Sequence, residues 1–302
     1  MKAVIGTNSW GSKTYATVLR GYSVNENVIA ATAAQAYKRH IPIFDTAPFY
    51  GLGEAEKLLG KYAPEGSVIS DKFSPKKKYR YGSVRKALEN SLTALERDIV
   101  DIYWLHLPVN IADNLSEMAE ILLDSGKIRS IGISNFNTEE CDKAKEILDI
   151  YNVPLYGVQN HYSILSRDWE KNGLTAWCRE NNAKFWAWAV LEEGMLIPPN
   201  KDETPSVLKI VYDKKRFSLA HLYKTMSKVG KKYGLSHAET AISFCSAKGI
   251  IPVCGCRRPS HAASVCKAVN TLISAEDVLL LENAADETGI TLIGSDMFRM
   301  IR

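Results

Sequence analysis

Ile102-Tyr-Trp-Leu-His-Leu-Pro108 is a short apolar run of aromatic and branched residues that ends at a histidine and a proline. A run of this length and composition predicts a β-strand buried on both faces, as in parallel sheets. Runs of the same kind occur along the whole chain. The eight predicted strands are Ala3–Gly6, Ile43–Asp45, Val68–Asp71, Ile102–Leu105, Ile128–Ile133, Gly157–Gln159, Lys184–Trp188 and Ile250–Cys254.

Amphipathic stretches of helical length lie between the predicted strands. In residues 81–96, for example, apolar side chains recur at spacings of four, four and three, which forms one stripe that faces a sheet. The helices predicted in this way are Asn25–Arg39, Tyr81–Glu96, Leu115–Leu123, Thr138–Ile150, Arg167–Glu180, Leu219–Tyr233 and Ser260–Val269.

The alternation of eight strands with helices in 302 residues predicts an α/β fold, a (β/α)8 TIM barrel that forms a single domain over residues 1–302. Two additions to the barrel are expected. Leu196–Phe217 is a long loop after strand seven, and Ala275–Glu287 is an extra C-terminal helix. A doubly wound sheet is the alternative, but no Gly-x-Gly-x-x-Gly opens a helix after the first strand, which disfavours a Rossmann fold.

Composition indicates an ordinary globular protein, with 46% hydrophobic and 24% charged residues and a net charge of +4. The basic cluster at residues 76–80 is short and is interpreted as a solvated loop, so no nucleic-acid partner is expected. No signal peptide and no apolar run of about 18 residues is found, so we expect a cytoplasmic protein without a membrane partner. The absence of an obvious hydrophobic surface run favours a monomer over an oligomer.

The six cysteines are scattered, which favours reduced thiols in a cytosol. Cys254-Gly-Cys256 has no second Cys/His pair, so no zinc or other metal site is expected.

Four groups that could share a proton lie near the ends of predicted strands two, three and four. They are Asp45, Tyr50, Lys72 and His106. A tyrosine with its free pKa of about 10 is a poor acid near neutral pH, but a nearby ammonium lowers that pKa and a carboxylate keeps the lysine charged. A histidine could then orient a carbonyl oxygen. The set therefore predicts protonation of an oxygen while another group delivers hydride; a buried salt bridge beside an ordinary core tyrosine is the alternative.

The sequence resembles the aldo-keto reductase family over nearly the whole chain. Six motifs in this order carry the resemblance: Phe44-Asp-Thr-Ala-Pro-Phe-Tyr-Gly-Leu-Gly-Glu-Ala-Glu-Lys-Leu-Leu-Gly60, Asp71-Lys-Phe73, Asp101-Ile-Tyr-Trp-Leu-His106, Gly126-Lys-Ile-Arg-Ser-Ile-Gly-Ile-Ser-Asn-Phe136, Val158-Gln-Asn-His-Tyr162 and Ile251-Pro-Val-Cys-Gly255.

The resemblance implies an NAD(P)H-dependent oxidoreductase that reduces an aldehyde or ketone to an alcohol. Family members are (β/α)8 barrels that bind an extended nicotinamide cofactor, usually NADPH, with NADH possible. Tyr50 is implied as proton donor, Lys72 and Asp45 as the pair that tunes it, and His106 as the group that orients the carbonyl. Trp10, together with Tyr50 and His106, is expected to contact the small-molecule carbonyl or alcohol substrate, whereas Trp104 is interpreted as a packing residue.

The resemblance also implies a set of cofactor-binding residues. Ser134, Asn135 and Gln159 match the group that holds the nicotinamide carboxamide, and Trp188 replaces the usual stacked tyrosine. Arg257 could bind the 2′-phosphate that distinguishes NADPH from NADH. The others are Thr7, Asn8, Asp45, Val190, Leu191, Gly194, Gly255, His261 and Ser264.

Two other functions stay open at this point. Lys72 could be the nucleophile of a Schiff-base lyase, since lysines on barrel strands can form imines with carbonyl substrates. The chain could also be a non-catalytic nicotinamide-binding sensor. Loops after barrel strands vary freely, so neither the substrate nor the direction of the reaction follows from the sequence.

Overall fold

The eight predicted strands form a closed parallel barrel. The structure is a computed structural model that describes residues 2–11, 23–76, 82–199 and 216–290. Within these residues each strand pairs with the next, and β1 pairs with β8. The strands are β1 (Val4–Gly6), β2 (Ile43–Asp45), β3 (Val68–Phe73), β4 (Ile102–Leu105), β5 (Ile131–Ser134), β6 (Leu155–His161), β7 (Lys184–Trp188) and β8 (Ile251–Gly255).

The predicted barrel is therefore confirmed, although the ends of several strands differ from the prediction by about one to three residues. Predicted strand five started at Ile128, but β5 starts at Ile131, and Ile128 forms an isolated bridge with Val100. Strand six was predicted to end at Gln159, but β6 continues through Asn160 to His161. Two polar residues therefore extend that strand, which an apolar pattern could not predict.

The described residues contain eleven α-helices. They are α1 (Glu26–Lys38), α2 (Glu54–Tyr62), α3 (Ser83–Leu95), α4 (Ile111–Ser125), α5 (Thr138–Ile150), α6 (Asp168–Lys171), α7 (Leu174–Glu180), α8 (Ala220–Tyr233), α9 (His237–Ala247), α10 (Pro259–Asn270) and α11 (Ala275–Asp286). The extra C-terminal helix is confirmed as α11. Most of the long loop predicted after strand seven, residues 200–215, lies outside the described residues.

One predicted helix is divided in two, and two further helices were not predicted. The single helix predicted over 167–180 is interrupted at Gly173, whose φ of 85° lies in the left-handed region. The prediction missed α2, which is short and follows a glycine-rich turn. It also missed α9, which is buried on most sides and so lacks a clear polar face. The capping box of α9, in which Ser236 and Glu239 bond each other's backbone amides, is the signal that could have found it.

Alternation along the strands divides the core into two layers. Inside the barrel, Trp104 and Trp186 pack with apolar residues of β1, β2, β4 and β8. The larger cluster lies between the strands and the helices. On β3, Ser70 and Lys72 contact Asp45 within the barrel, so Asp71 between them points toward the helices. The fold thus directs Lys72 into the barrel near its carboxyl end.

The described part of the chain has no helix with the length and hydrophobicity needed to cross a bilayer. All six cysteines are free, and Cys266 is the most exposed of them.

Candidate active site

A buried ion pair lies where β2 and β3 end. Lys72 Nζ donates to Asp45 Oδ2 at 2.5 Å and to the carbonyl oxygen of Thr46 at 2.7 Å. Burial by itself lowers the pKa of Lys72, but the charges of Asp45 and Tyr50 and the hydrogen bond to Asp45 raise that pKa above its usual value. The lysine is therefore an ammonium across the physiological pH range.

Tyr50 begins a short 3-10 turn, Tyr50–Gly53, that follows β2. The tyrosine is half-buried, and Lys72 Nζ lies 5.1 Å from the centre of its ring. Gly51 sits at φ 56°, and a Cβ there would lie 2.7 Å from the carbonyl oxygen of Trp10. Only glycine avoids both the strain and the contact, so the turn that presents Tyr50 to Lys72 depends on this residue.

His106 is a buried neutral imidazole at the end of β4. Burial, and then the positive charge of Lys72, lower its pKa well below the usual value. Its Nδ1 lies 3.1 Å from Ser74 Oγ. Phe49, which is 50% exposed, stacks on the imidazole at 5.2 Å and meets the Tyr50 ring edge-on at 5.0 Å. An exposed aromatic side chain therefore borders both groups that were predicted to bind a carbonyl oxygen.

The second oxygen of Asp45 is also fully engaged. Asp45 Oδ1 accepts from Ser70 Oγ at 2.7 Å and from Gln159 Nε2 at 3.1 Å. The Ser70 hydroxyl in turn accepts from the indole N–H of Trp104 at 2.7 Å. The ion pair, the predicted carboxamide-binding set and the barrel interior thus form one hydrogen-bonded network, in which Ser70 and Trp104 were not predicted as site residues.

The predicted carboxamide-binding residues lie together at the ends of β5 and β6. Ser134 Oγ donates to the carbonyl oxygen of Gln159 at 2.7 Å, and Asn135 Nδ2 donates to the carbonyl oxygen of His106 at 3.0 Å. Asn135 has a φ of 65°, and its backbone N–H donates to Asn160 Oδ1 at 2.6 Å. Asn160, which the sequence analysis missed, therefore fixes a backbone turn that carries Asn135.

Trp188 ends β7 and is stacked on His161 with a centroid distance of 4.6 Å and an interplanar angle of 17°. His161 Nε2 contacts Glu192 Oε1 at 2.9 Å, and Ser163 donates to the same carboxylate. Both His161 and Glu192 are buried. One face of the indole is thus supported from within the protein by His161, which lies in a quoted motif but was not predicted as a site residue.

The loop after β7 is held in an unusual backbone conformation. Ala189 and Glu192 have φ values of 57° and 49°, and Gly194 has a φ of 94°. Positive φ values such as those of Ala189 and Glu192 cost conformational free energy in residues other than glycine. The predicted cofactor residues Val190 and Leu191 lie in this loop, the former buried and the latter half-buried. Glu192 is held in this loop by its buried contacts with His161 and Ser163.

At the end of β1, two predicted contacts are buried. Thr7 donates through its amide and hydroxyl to the carbonyl oxygen of Asp45, at 2.9 and 3.1 Å. Trp10 is fully buried, and its indole N–H donates to the carbonyl oxygen of Cys256 at 2.8 Å. Its burial favours a packing role, and its predicted contact with substrate stays a prediction. Asn8 between them is exposed.

At the end of β8, Gly255 and Arg257 are exposed and precede α10, which has proline at its first turn. Arg258 Nε donates to His261 Nε2 at 2.8 Å. Burial, followed by the charges of Arg258 and Arg257, lowers the pKa of His261 to about 4, so this ring is neutral. Ser264 lies against Glu239 of α9, where its hydrogen bond helps to lower the pKa of that carboxylate against the effect of burial.

Behind Lys72, on the helix side of β3, lies a buried pair of acids. Burial, and then the charge of Glu56, raise the pKa of Asp71 well above its usual value. Burial likewise raises the pKa of Glu56, against hydrogen bonds from Ser91 and Asp71 that lower it. Both carboxyl groups have a raised pKa in the folded protein. Their contribution to stability is therefore complete below the ordinary carboxyl pKa of about 4, and it is lost as the pH rises through their pKa values in the folded protein.

We therefore expect Asp71→Asn to flatten the fall in stability with rising pH. Asparagine is neutral at every pH and nearly isosteric, so the variant should lose less of its free energy of unfolding between pH 5 and pH 9 than the wild type does. Urea unfolding at several pH values measures this. Asp98→Asn, at an exposed site, is the control and should follow the wild-type curve; a parallel curve for Asp71→Asn would contradict the expectation.

Comparison with known proteins decides the family. A model of the Aldo/keto reductase family matches residues 2–286. This chain belongs to the aldo/keto reductase family. The resemblance found in the sequence is thereby confirmed, and with it the assignment to a family of NAD(P)H-dependent oxidoreductases.

Two curated relatives of this aldo/keto reductase are both named as reductases. The chloroplastic pyridoxal reductase of Arabidopsis thaliana is 26% identical over 310 residues, which span 95% of this chain and 84% of the relative. The NADH-specific methylglyoxal reductase of Escherichia coli is 28% identical over 200 residues, which span 57% of this chain and 59% of that protein.

A solved structure supports the same fold. An aldo-keto reductase from Klebsiella pneumoniae in complex with NADPH matches 93% of this chain and 90% of its own, with a TM-score of 0.73 and 20% identity. At that identity the likeness shows the barrel alone.

Proposed function

We propose that this chain is a single-domain, NADPH-dependent reductase that converts an aldehyde or ketone to an alcohol, with Tyr50 as the proton donor. One observation carries the proposal. A half-buried tyrosine, a buried Lys–Asp ion pair and a neutral histidine meet at the carboxyl end of a parallel barrel, which is where the active sites of such barrels form.

Each group has a role in this proposal. The reduced nicotinamide supplies the hydride when bound. The Tyr50 hydroxyl donates a proton to the carbonyl oxygen, and the Lys72 ammonium stabilises the phenolate that remains. Asp45 keeps Lys72 charged in its buried position. His106 is neutral, and its role requires the tautomer in which Nδ1 accepts from Ser74 Oγ and Nε2–H donates to the carbonyl oxygen and orients it.

The residues present fit a nicotinamide cofactor. Ser134, Asn135 and Gln159 lie together at the ends of β5 and β6 and carry amide and hydroxyl groups, as a carboxamide requires, and Gln159 contacts Asp45. Trp188, whose indole stacks on His161, is the aromatic side chain proposed to pack on the nicotinamide ring. The Klebsiella structure holds NADPH, whereas the Escherichia coli relative is NADH-specific. We propose NADPH as the preferred cofactor and NADH as a possible substitute.

Arg257 provides the test of that preference. If its guanidinium binds the 2′-phosphate, Arg257→Ala should weaken NADPH binding by about 10- to 100-fold, as expected for a charge-assisted hydrogen bond, and leave NADH binding unchanged. Titration of each cofactor by fluorescence measures this. The control is Arg129→Ala, because Arg129 lies before β5 at the opposite end of the barrel, where it pairs with Asp101. Equal weakening of both cofactors would contradict the assignment.

The first experiment on the function itself measures thermal stabilisation by NADPH and NADH, followed by cofactor oxidation with a panel of aldehydes and ketones. A ligand at a hundredfold excess over its Kd stabilises by about 2.7 kcal/mol. Stabilisation together with substrate-dependent oxidation supports the reductase. Stabilisation without oxidation of any compound supports the sensor, and the absence of any shift counts against both.

The lyase alternative is less consistent with the site. A Schiff base requires a neutral amine, whereas the pKa of Lys72 is raised and its ammonium is paired with Asp45. Borohydride trapping of a carbonyl compound on Lys72 is the observation that would restore this alternative.

A further inference from the structure

Ser70 and Trp104 form a buried hydrogen-bonded chain that ends at Asp45. Trp104 Nε1 lies 2.7 Å from Ser70 Oγ, which lies 2.7 Å from Asp45 Oδ1. Ser70 and Trp104 are both fully buried. They come from β3 and β4, the strands that also carry Lys72 and lead to His106.

The direction of these bonds follows from the chemistry of the three groups. An indole N–H donates only, and a carboxylate accepts only. The Ser70 hydroxyl accepts from Trp104, so its single proton is directed to Asp45. Without the indole, the hydroxyl could rotate toward another acceptor. Trp104 therefore orients the hydroxyl that holds Asp45 Oδ1, while Asp45 Oδ2 is left to Lys72.

The Trp104 indole is itself fixed in place. It packs on Trp186 at 5.0 Å and on Tyr156 at 5.9 Å, measured between ring centroids. Gly132 of β5 also lies against the ring, and a Cβ there would be 2.3 Å from Trp104 Cε3. The absence of a side chain at Gly132 makes room for the ring, and the close packing leaves its N–H only a small range of directions.

We propose that Ser70 and Trp104 are positioning residues of the reductase, which hold the Asp45 carboxylate so that one oxygen faces Lys72. The proposal rests on the reductase function proposed above. Neither residue touches the reacting atoms, and both act through Asp45. When Asp45 is held in this position, it keeps the Lys72 ammonium beside Tyr50, the proposed proton donor.

The pH dependence of turnover gives a signature that a purely structural role would lack. The charged and titratable groups around Lys72 are Asp45, Tyr50, Asp71 and His106. Of these four groups, Asp45 raises the pKa of Lys72 the most. If Asp45 turns away from the ammonium, that pKa falls, and the alkaline limb of kcat moves to lower pH.

The test compares Ser70→Ala, Trp104→Phe and the double variant. We expect Ser70→Ala to lower kcat about tenfold or more and to move the alkaline limb to lower pH, with KM and the cofactor Kd nearly unchanged. Ser70→Thr keeps the hydroxyl and should restore most of kcat. Both residues act through one contact with Asp45. The kcat of the double variant should therefore be no lower than that of the worse single variant, whereas independent effects would multiply the two losses in kcat.

Ser243→Ala is the matched control. Ser243 is a fully buried serine of α9 whose hydroxyl bonds the carbonyl oxygen of Thr271. Its loss should lower stability but leave kcat and the pH profile unchanged. The proposal is overturned if the wild type is active and Ser70→Ala lowers stability but leaves kcat and the pH profile unchanged.

A separate readout does not depend on activity. In the cofactor-free protein, the losses in stability of Ser70→Ala and Asp45→Asn should be non-additive, since the two residues share a hydrogen bond. Additive losses overturn the proposed network. If no carbonyl compound is reduced by the wild type, the proposed function fails, and non-additive losses still show that Ser70 holds Asp45.

Discussion

Tyr50→Phe should lower turnover by about 10²–10⁴-fold, the usual contribution of a general acid. Phenylalanine keeps the ring beside Lys72 and Phe49 and removes only the hydroxyl that is proposed to donate the proton. The fold and the affinity for the cofactor should therefore stay close to those of the wild type. Steady-state kinetics on the best substrate of the panel, with cofactor binding measured in parallel, give the result.

The matched control is Tyr62→Phe. Tyr62 lies at the end of α2, and its hydroxyl donates to Glu26 at the exposed start of α1. This variant should turn over at the wild-type rate. Turnover of Tyr50→Phe within a few-fold of wild type would exclude Tyr50 as the proton donor.

Asp45→Asn should be among the most destabilising single substitutions in the chain. It leaves the Lys72 ammonium, whose side chain has 0% exposure, without its partner charge. Breaking a buried ion pair in this way costs about 3–5 kcal/mol. Turnover should fall as well, because Lys72 is then harder to keep charged beside Tyr50. The free energy of unfolding from urea denaturation at pH 7 measures the first effect.

The pH range for this measurement follows from the sign of the Lys72 shift. Because its folded pKa is raised, the stabilising effect is complete below the ordinary lysine pKa of about 10.4 and is lost as the pH rises through the folded value. The difference between wild type and variant should therefore be full at pH 7 and shrink only in strong alkali.

An exposed ion pair gives the control for this second prediction. Glu139 and Lys143 pair at 2.8 Å on the surface of α5, where both side chains are mostly exposed. Water screens such pairs, so Glu139→Gln should leave stability nearly unchanged. A loss for Asp45→Asn no larger than the loss for Glu139→Gln would show that the buried ion pair does not stabilise the fold.

The barrel and its central residues could be predicted from the sequence because each depends on a local pattern. A short apolar run predicts a strand, and a polar residue at its carboxyl end predicts a side chain at the rim of the barrel. Asp45, Lys72 and His106 follow that rule. The helix α9 could not be found in the same way, since burial on most sides removes the periodicity on which the prediction depends.

The partners of the site residues were harder to predict. The contacts of Ser70 with Trp104 and of His161 with Glu192 form because the fold brings neighbouring strands and loops together. Such contacts join residues 34 and 31 positions apart, and no spacing rule covers them. Trp104 was correctly interpreted as packing, but its indole N–H adds a polar contact that composition alone does not reveal.

The alternation of charge on β3 also bears on how the chain avoids misfolding. Lys72 faces Asp45 inside the barrel, while Asp71 faces Glu56 among the helices. A slip of β3 by one residue would exchange the two faces. Asp71 would then approach Asp45, two negative charges in a buried site, and Lys72 would be carried away from the tyrosine. The same two side chains that build the site therefore penalise the nearest wrong pairing of the sheet.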